Sequence, residues 1–225
     1  MAIFADPLNI MIFAVAAIAA FKLWQVLGRL PGDEPPPPPQ PDEAGPVRIE
    51  PKPSDLVLES QPVKPVWQGY APEGSDLALA LLAIAARDSA FNTDEVVAGA
   101  KLAHERILEA FARGDLASLR PLLTPATLKT FETEIARRTA AGESASFNFV
   151  GIKSAGLRQA RCSGNLAELD IAFASDVVSA LKGKSGETLS GDEKRVVTVR
   201  ELWTFARDLS LPDRAWLLAE TQDDA

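Results

Sequence analysis

The sequence predicts an α+β domain carried behind an N-terminal transmembrane helix and a proline-rich linker. Three features predict it: an uncharged apolar run near the start, a proline-crowded acidic stretch after it, and a hydrophobic period that changes from helical to two near Gly142.

Leu8 to Phe21 carries no charge, and with Ile3, Phe4, Leu23, Trp24, Val26 and Leu27 around it the apolar stretch reaches the ~20 residues that cross about 30 Å of hydrocarbon. Only Asp6 and the α-amino group precede the run, whereas Lys22 and Arg29 follow it, so the positive-inside rule puts the C-terminal side in the cytoplasm. A cleaved secretory signal is the rival reading, but such signals carry Lys or Arg ahead of the apolar run, and here the basic residues and the interfacial Trp24 lie behind it. Residues 1–30 are therefore expected to be a single-pass anchor in the inner membrane.

Residues 31–74 read as a disordered acidic linker. Thirteen of the 17 prolines fall between Pro31 and Pro72, with Asp33, Glu34, Asp42, Glu43, Glu50, Asp55 and Glu59 among them. Proline fixes φ and removes backbone donors, which favours extended polyproline II at about 3.1 Å per residue. The block Pro35 to Pro39 suits a spacer better than a proline-recognition ligand, because no basic anchor adjoins it.

The formal charge is −8, and after Ala71 the acids still outnumber the bases, interleaved with them. A nucleic-acid partner needs a basic face and is excluded on that ground. The single Cys162 leaves no intramolecular disulfide and no multi-thiolate metal site.

The domain is expected over 75–222, with 223–225 as an acidic tail. An alanine-rich run holding Leu77, Leu79, Leu81, Leu82 and Ile84 reads as a short buried helix ending at Asp88-Ser89. Asn92 and Glu95 have capping-box spacing, and Val96, Ala100, Ala103, Ile107, Ala110 and Phe111 recur at helical spacing up to the Gly114-Asp115 break. Leu116 to Leu123 makes a brief third helix. Thr124-Pro125 starts a fourth, with a hydroxyl cap and proline at the first helical position, and Gly142 ends it; Leu128, Phe131 and Ile135 share its apolar face. Four strands follow. Phe147, Phe149 and Ile152 lead the first towards Leu157, with a bend or bulge at Gly151 and Gly156; Leu169, Ile171 and Phe173 mark the second; Val197, Val199, Trp203 and Phe205 the third; and Trp216 to Thr221 the fourth. Gly183 to Gly191 and Asp208 to Asp213 are the expected connecting loops. Helices first and an antiparallel meander second place the helices on one sheet face.

The run Phe91, Gly99-Ala100-Lys101, Ile107, Ala110-Phe111, Gly114-Asp115, Leu119 and Leu122, then Glu201-Leu202-Trp203-Thr204-Phe205-Ala206-Arg207 and Trp216-Leu217-Leu218, resembles the Tim44-like domain family over about Asp76 to Thr221. That family is the C-terminal domain of the mitochondrial import-motor adaptor and of membrane-anchored alphaproteobacterial proteins. The resemblance implies a cone fold similar to nuclear transport factor two, a curved sheet wrapped around helices with a hydrophobic cleft, and contact with membrane, lipid or protein. The adaptor's chaperone-recruiting N-terminal region has no counterpart here, so that role does not carry over.

The residues offer little chemistry. His104 borders an apolar helix face near Val97, Leu108 and Phe111, and with no second His or Cys cluster it reads as a packed boundary residue, not a metal ligand or base. Gly183-Lys184-Ser185 lacks the upstream glycine of a phosphate-binding loop, since Val178 stands there. Acid pairs such as Glu132 with Glu134 and Asp192 with Glu193 fit solvated faces. No catalytic, cofactor or metal residue is assigned. His104, Phe111, Phe131, Ile135, Phe149, Phe173, Trp203, Phe205 and Trp216 are the candidates for the core and any cleft. The expected function is a non-enzymatic membrane-anchored adaptor binding a protein or lipid. The alternatives are a cone-fold isomerase or dehydratase using a pocket histidine with an acid, and an interaction module with a filled interior.

Overall fold

A computed structural model describes residues 64–211 and 215–224. The expected anchor and the linker up to residue 63 lie outside the described residues. Among the described residues no helix is long and apolar enough to cross a membrane.

Four helices come first among the described residues, each set by local chemistry. Ser75 caps α1 (Asp76–Ala85), its hydroxyl accepting from the Ala78 amide. Asn92 caps α2 (Thr93–Arg113), its side-chain carbonyl accepting from the Asp94 and Glu95 amides, while its side-chain N–H donates to the Glu95 carboxylate at 3.4 Å. Gly114 ends α2 in the left-handed region that glycine adopts freely, at φ 69°. Asp115 caps the single turn α3 (Leu116–Leu119), and Thr124 with Pro125 opens α4 (Pro125–Ala141).

The strands β1 (Ser144–Ser163), β2 (Leu166–Lys182), β3 (Thr188–Asp208) and β4 (Leu217–Asp223) form an open antiparallel meander in the order β1-β2-β3-β4. Three are much longer than their apolar alternation suggests. Thr188 to Gly191, read from the sequence as loop, pairs with Ala180 to Lys182, and Asp223, read as tail, pairs with Glu201 as part of β4. The expected irregularity at Gly151 is present as a register shift between Phe149 and Gly151, whereas Gly156 pairs regularly with Ala172. β3 makes the largest register shift: Val177 faces Val197 but Ser179 faces Asp192, so 193–196 are strand residues without a β2 partner.

One face of the sheet meets the helices. Leu169, Ile171 and Phe173 of β2 and Trp203 and Phe205 of β3 pack with Leu81, Ile84, Ile107, Phe111, Leu119 and Phe131, all essentially removed from water. Each such side chain contributes roughly 1.5–3 kcal/mol of transfer free energy. The other face carries a polar clasp across three strands: the Arg161 guanidinium grips Asp170 at 2.6 and 3.0 Å and Glu168 at 3.1 Å, while the Thr204 hydroxyl donates to Asp170 at 2.8 Å. Arg207 of β3 pairs with Asp88 after α1 at 2.9 Å, and Leu218 of β4 exchanges backbone bonds with Leu122 and Thr124 ahead of α4.

The packed unit starts before Ser75, where the sequence reading puts its boundary. Val66, Trp67 and Tyr70 pack against the core, and the Thr93 hydroxyl donates to the Val66 carbonyl at 2.6 Å. Three prolines in 62–72 mask this from a composition-based boundary, whereas the two aromatics supply the area that binds the segment down.

Candidate functional site

The centre of the interior is polar. His104, on α2, has no exposed surface: it stacks on Phe173 at 4.2 Å with rings 9° from parallel, and meets Trp203 edge-on at 4.3 Å and Phe149 at 6.1 Å. Its Nε2 shares a 3.0 Å hydrogen bond with the Ser175 hydroxyl, and its Nδ1 has no partner among the described residues. Burial lowers its pKa to about 3, so the ring is neutral at any physiological pH. Sequence reasoning sets His104 at the border of the apolar face. The structure puts it in the middle, because Ala100, Ile107 and Phe111 on the same helix stripe are all buried.

Trp203 links this histidine to a buried acid. Glu201, two residues earlier on the same strand face, is 6 % exposed, and burial raises its carboxyl to about 7. The Trp203 indole N–H has no partner of full hydrogen-bond geometry, but it lies close enough to draw the value partly back, while Asp223 across on β4 pushes it up. Asp223 is itself raised by burial. Ser175 and Glu201 have no separate signal as site residues. The period-two alternation that puts Trp203 and Phe205 inside also puts Glu201 inside, and that is the signal that finds it.

The other candidates divide between this centre and its surroundings. Phe111 and Phe131 pack at 4.7 Å, with the buried Arg138 guanidinium 4.5 Å over the Phe111 ring and donating to the Phe111 carbonyl at 2.7 Å. Phe205 joins Trp203 at 6.2 Å in the core. Ile135, Phe149 and Trp216 are half-buried, Trp216 lying 6.2 Å from Phe91 at the edge. His104, Phe149, Phe173 and Trp203 thus form one cluster, and Phe111, Phe131 and Ile135 a second beside α4. No group of three or more His, Cys, Asp or Glu among the described residues is placed to hold a metal ion.

As chemistry, a Ser–His pair and a buried carboxyl of near-neutral pKa, each touching Trp203 on the His or acid side, have the parts of acid–base catalysis but not the access. His104 is sealed by two aromatic rings, and its low basicity removes it from proton transfer near pH 7. An open concavity lies elsewhere, a groove of about 300 Å³ lined by Arg106, Glu109, Arg113, Ser118, Pro121 and Leu122 on α2 and the turns after it.

Helices laid on one face of an open four-stranded antiparallel sheet, with an aromatic interior and a charged groove, define an α+β domain. The Tim44-like domain matches residues 77–223, and the chain belongs to that family. Tim44-like domains are membrane-associated and generally non-catalytic, with adaptor or scaffold roles in protein transport. No curated protein matches the chain in sequence. Among solved structures it is similar to the intermembrane-space region of the chloroplast protein ARC6, at 12 % identity over 56 % of this chain and 95 % of that one with a TM-score of 0.40. It is also similar to a nuclear transport factor 2-like protein from Salmonella enterica serovar Typhimurium, at 14 % identity over 59 % and 94 % with a TM-score of 0.35. A third is an NTF2-like protein from Cytophaga hutchinsonii, at 18 % identity over 57 % and 95 % with a TM-score of 0.31.

Proposed function

We propose that the chain is a non-enzymatic, single-pass inner-membrane adaptor: residues 1–30 hold it in the bilayer, the proline-rich stretch sets its reach, and the Tim44-like domain binds a protein or lipid partner on the cytoplasmic side. The family match over 77–223 carries the reading. The apolar run Leu8 to Phe21, with its basic residues on the C-terminal side, supports the orientation. The sealing of His104 supports binding over turnover. Affinity purification of detergent-solubilised complexes tests it: a membrane-protein transport or assembly factor should co-purify in stoichiometric amount, and recovery of the chain alone at native abundance contradicts it.

The topology makes its own prediction. Protease added to spheroplasts should leave the domain intact and digest it only after lysis. Digestion from outside, or a processed soluble product, reverses the orientation.

An enzymatic reading draws on one specific observation, the near-neutral Glu201 carboxyl beside Trp203, whose ring in turn meets His104. It requires the interior to open, because these groups have little or no exposed surface.

A further inference from the structure

Between Asp76 and Arg87 the sequence of α1 and its cap runs Leu77-Ala78-Leu79-Ala80-Leu81-Leu82-Ala83-Ile84-Ala85-Ala86, without one polar side chain. Ala78, Leu81 and Ile84 are buried beneath the helix, as one apolar stripe requires. The opposite side is apolar too: Leu79 is 55 % and Leu82 45 % exposed, and Ala83 and Ala86 are exposed beside them. The outward faces of α2 and α4 are charged instead, with Lys101, Glu105 and Arg106 on one and Lys129 and Arg137 on the other. A helix apolar all round is ordinarily covered on both sides, and no described residue covers the outward side of α1.

The charges at its two ends point to what covers it. Asp76 opens the exposed stripe and has no ion-pair or hydrogen-bond partner among the described residues. Arg87 closes the stripe; its guanidinium donates to the Gly164 carbonyl and, at 3.4 Å, to the Asn165 side chain, but meets no carboxylate among the described residues. Asp76, Leu79, Ala83 and Arg87 succeed one another at steps of three and four residues and so share one side of the helix, acid at one end and base at the other. That pattern is complementary to itself when reversed. We propose that α1 is a self-association surface, packing antiparallel on α1 of a second copy about a two-fold axis level with the middle of the helix. Leu79 then lies over the small Ala83 of the second copy, which lets the helices approach closely. On one flank the two Leu82 side chains meet across the axis, and on the other each Asp76 faces the second copy's Arg87. A parallel pairing would set Asp76 on Asp76, and a lipid surface or an uncharged apolar segment would leave both charges unmatched. So short a helix buries less than the roughly 800 Å² per partner of a standard interface, so the dimer dissociates on dilution. The contact concerns two copies of one chain and stands or falls separately from the adaptor reading.

Oxidative cross-linking of the detergent-solubilised full chain, in a Cys162→Ser background, tests it. Leu82→Cys sets two thiols beside the axis within disulfide reach, and should form covalent dimer about tenfold faster than Leu102→Cys, a more exposed position on α2. Adding Asp76→Arg should slow the Leu82→Cys reaction about tenfold, because two attractive pairs become repulsive. Asp76→Arg chains mixed with Arg87→Glu chains, both carrying Leu82→Cys, should recover the parent rate as mixed dimer, since every facing pair is again opposite in charge. Asp76→Arg breaks no contact within the described fold, so its result stands even if Arg87→Glu loosens the tie to Gly164. Equal cross-linking at Leu82→Cys and Leu102→Cys reflects collision alone and overturns the proposal. So does a Leu82→Cys rate that ignores Asp76→Arg, which would assign the face to a lipid surface or an unrelated apolar partner.

Discussion

Trp203→Ala is expected to destabilise the domain by about 3–5 kcal/mol, the range for deleting a fully buried large aromatic. Trp203 is 1 % exposed and touches His104, Phe173 and Phe205, so its removal empties the centre of the core and leaves the imidazole without its edge-on neighbour. For a domain of this size the loss corresponds to a drop in Tm on the order of 10 °C, read by circular dichroism. Trp216→Ala should cost distinctly less, because that ring is half-buried at the edge of the core, 6.2 Å from Phe91. Equal costs would show that Trp216 is as deeply seated as Trp203.

Glu201→Gln is expected to stabilise the domain at pH 8 by up to about 3 kcal/mol and to do little at pH 5. The folded carboxyl titrates at about 7 against an ordinary value of 4.5. Between those values the unfolded chain has released the proton and the folded chain still holds it, so stability falls as pH rises through this window. The shift corresponds to about 3 kcal/mol, all of it felt above pH 7. The carboxylates that burial does not dominate act oppositely at acid pH: hydrogen bonds from Lys64 to Asp94 and from Thr198 to Asp176 hold both below the usual range, and their contribution is lost as pH falls through those lowered values. Urea midpoints of parent and Glu201→Gln between pH 5 and pH 8 should therefore diverge as pH rises. Parallel curves would mean that Glu201 is solvated.

What the sequence shows best is what local chemistry decides. Asn92, Gly114, Thr124-Pro125 and Gly142 bound the helices where the structure bounds them, because each cap is a contact within a few residues. The long strands are not legible in this way. Thr188 to Val196 is polar and largely exposed, and only pairing with β2 makes its first part strand. The early start of the packed unit rests on Trp67 and Tyr70 finding a surface some twenty residues away, to which no periodicity points. At the centre, alternation finds Phe173, Trp203 and Phe205 from the sequence, but the neighbour that completes His104, Ser175, lies 71 residues away on another element. A single serine in an alternating strand carries no sign of its partner.

His104→Phe is the most direct test of whether this domain works by binding at its surface or by chemistry at its centre. The substitution keeps an aromatic ring against Phe173 and Trp203 while deleting both nitrogens, including the unpartnered Nδ1, and frees the Ser175 hydroxyl at a cost of about 1–3 kcal/mol. The measurement is complementation of a deletion strain by His104→Phe, with membrane location and fold verified in the same cells. Full complementation is the predicted result. A folded, membrane-located protein that fails to complement would assign the imidazole a chemical role and contradict the account.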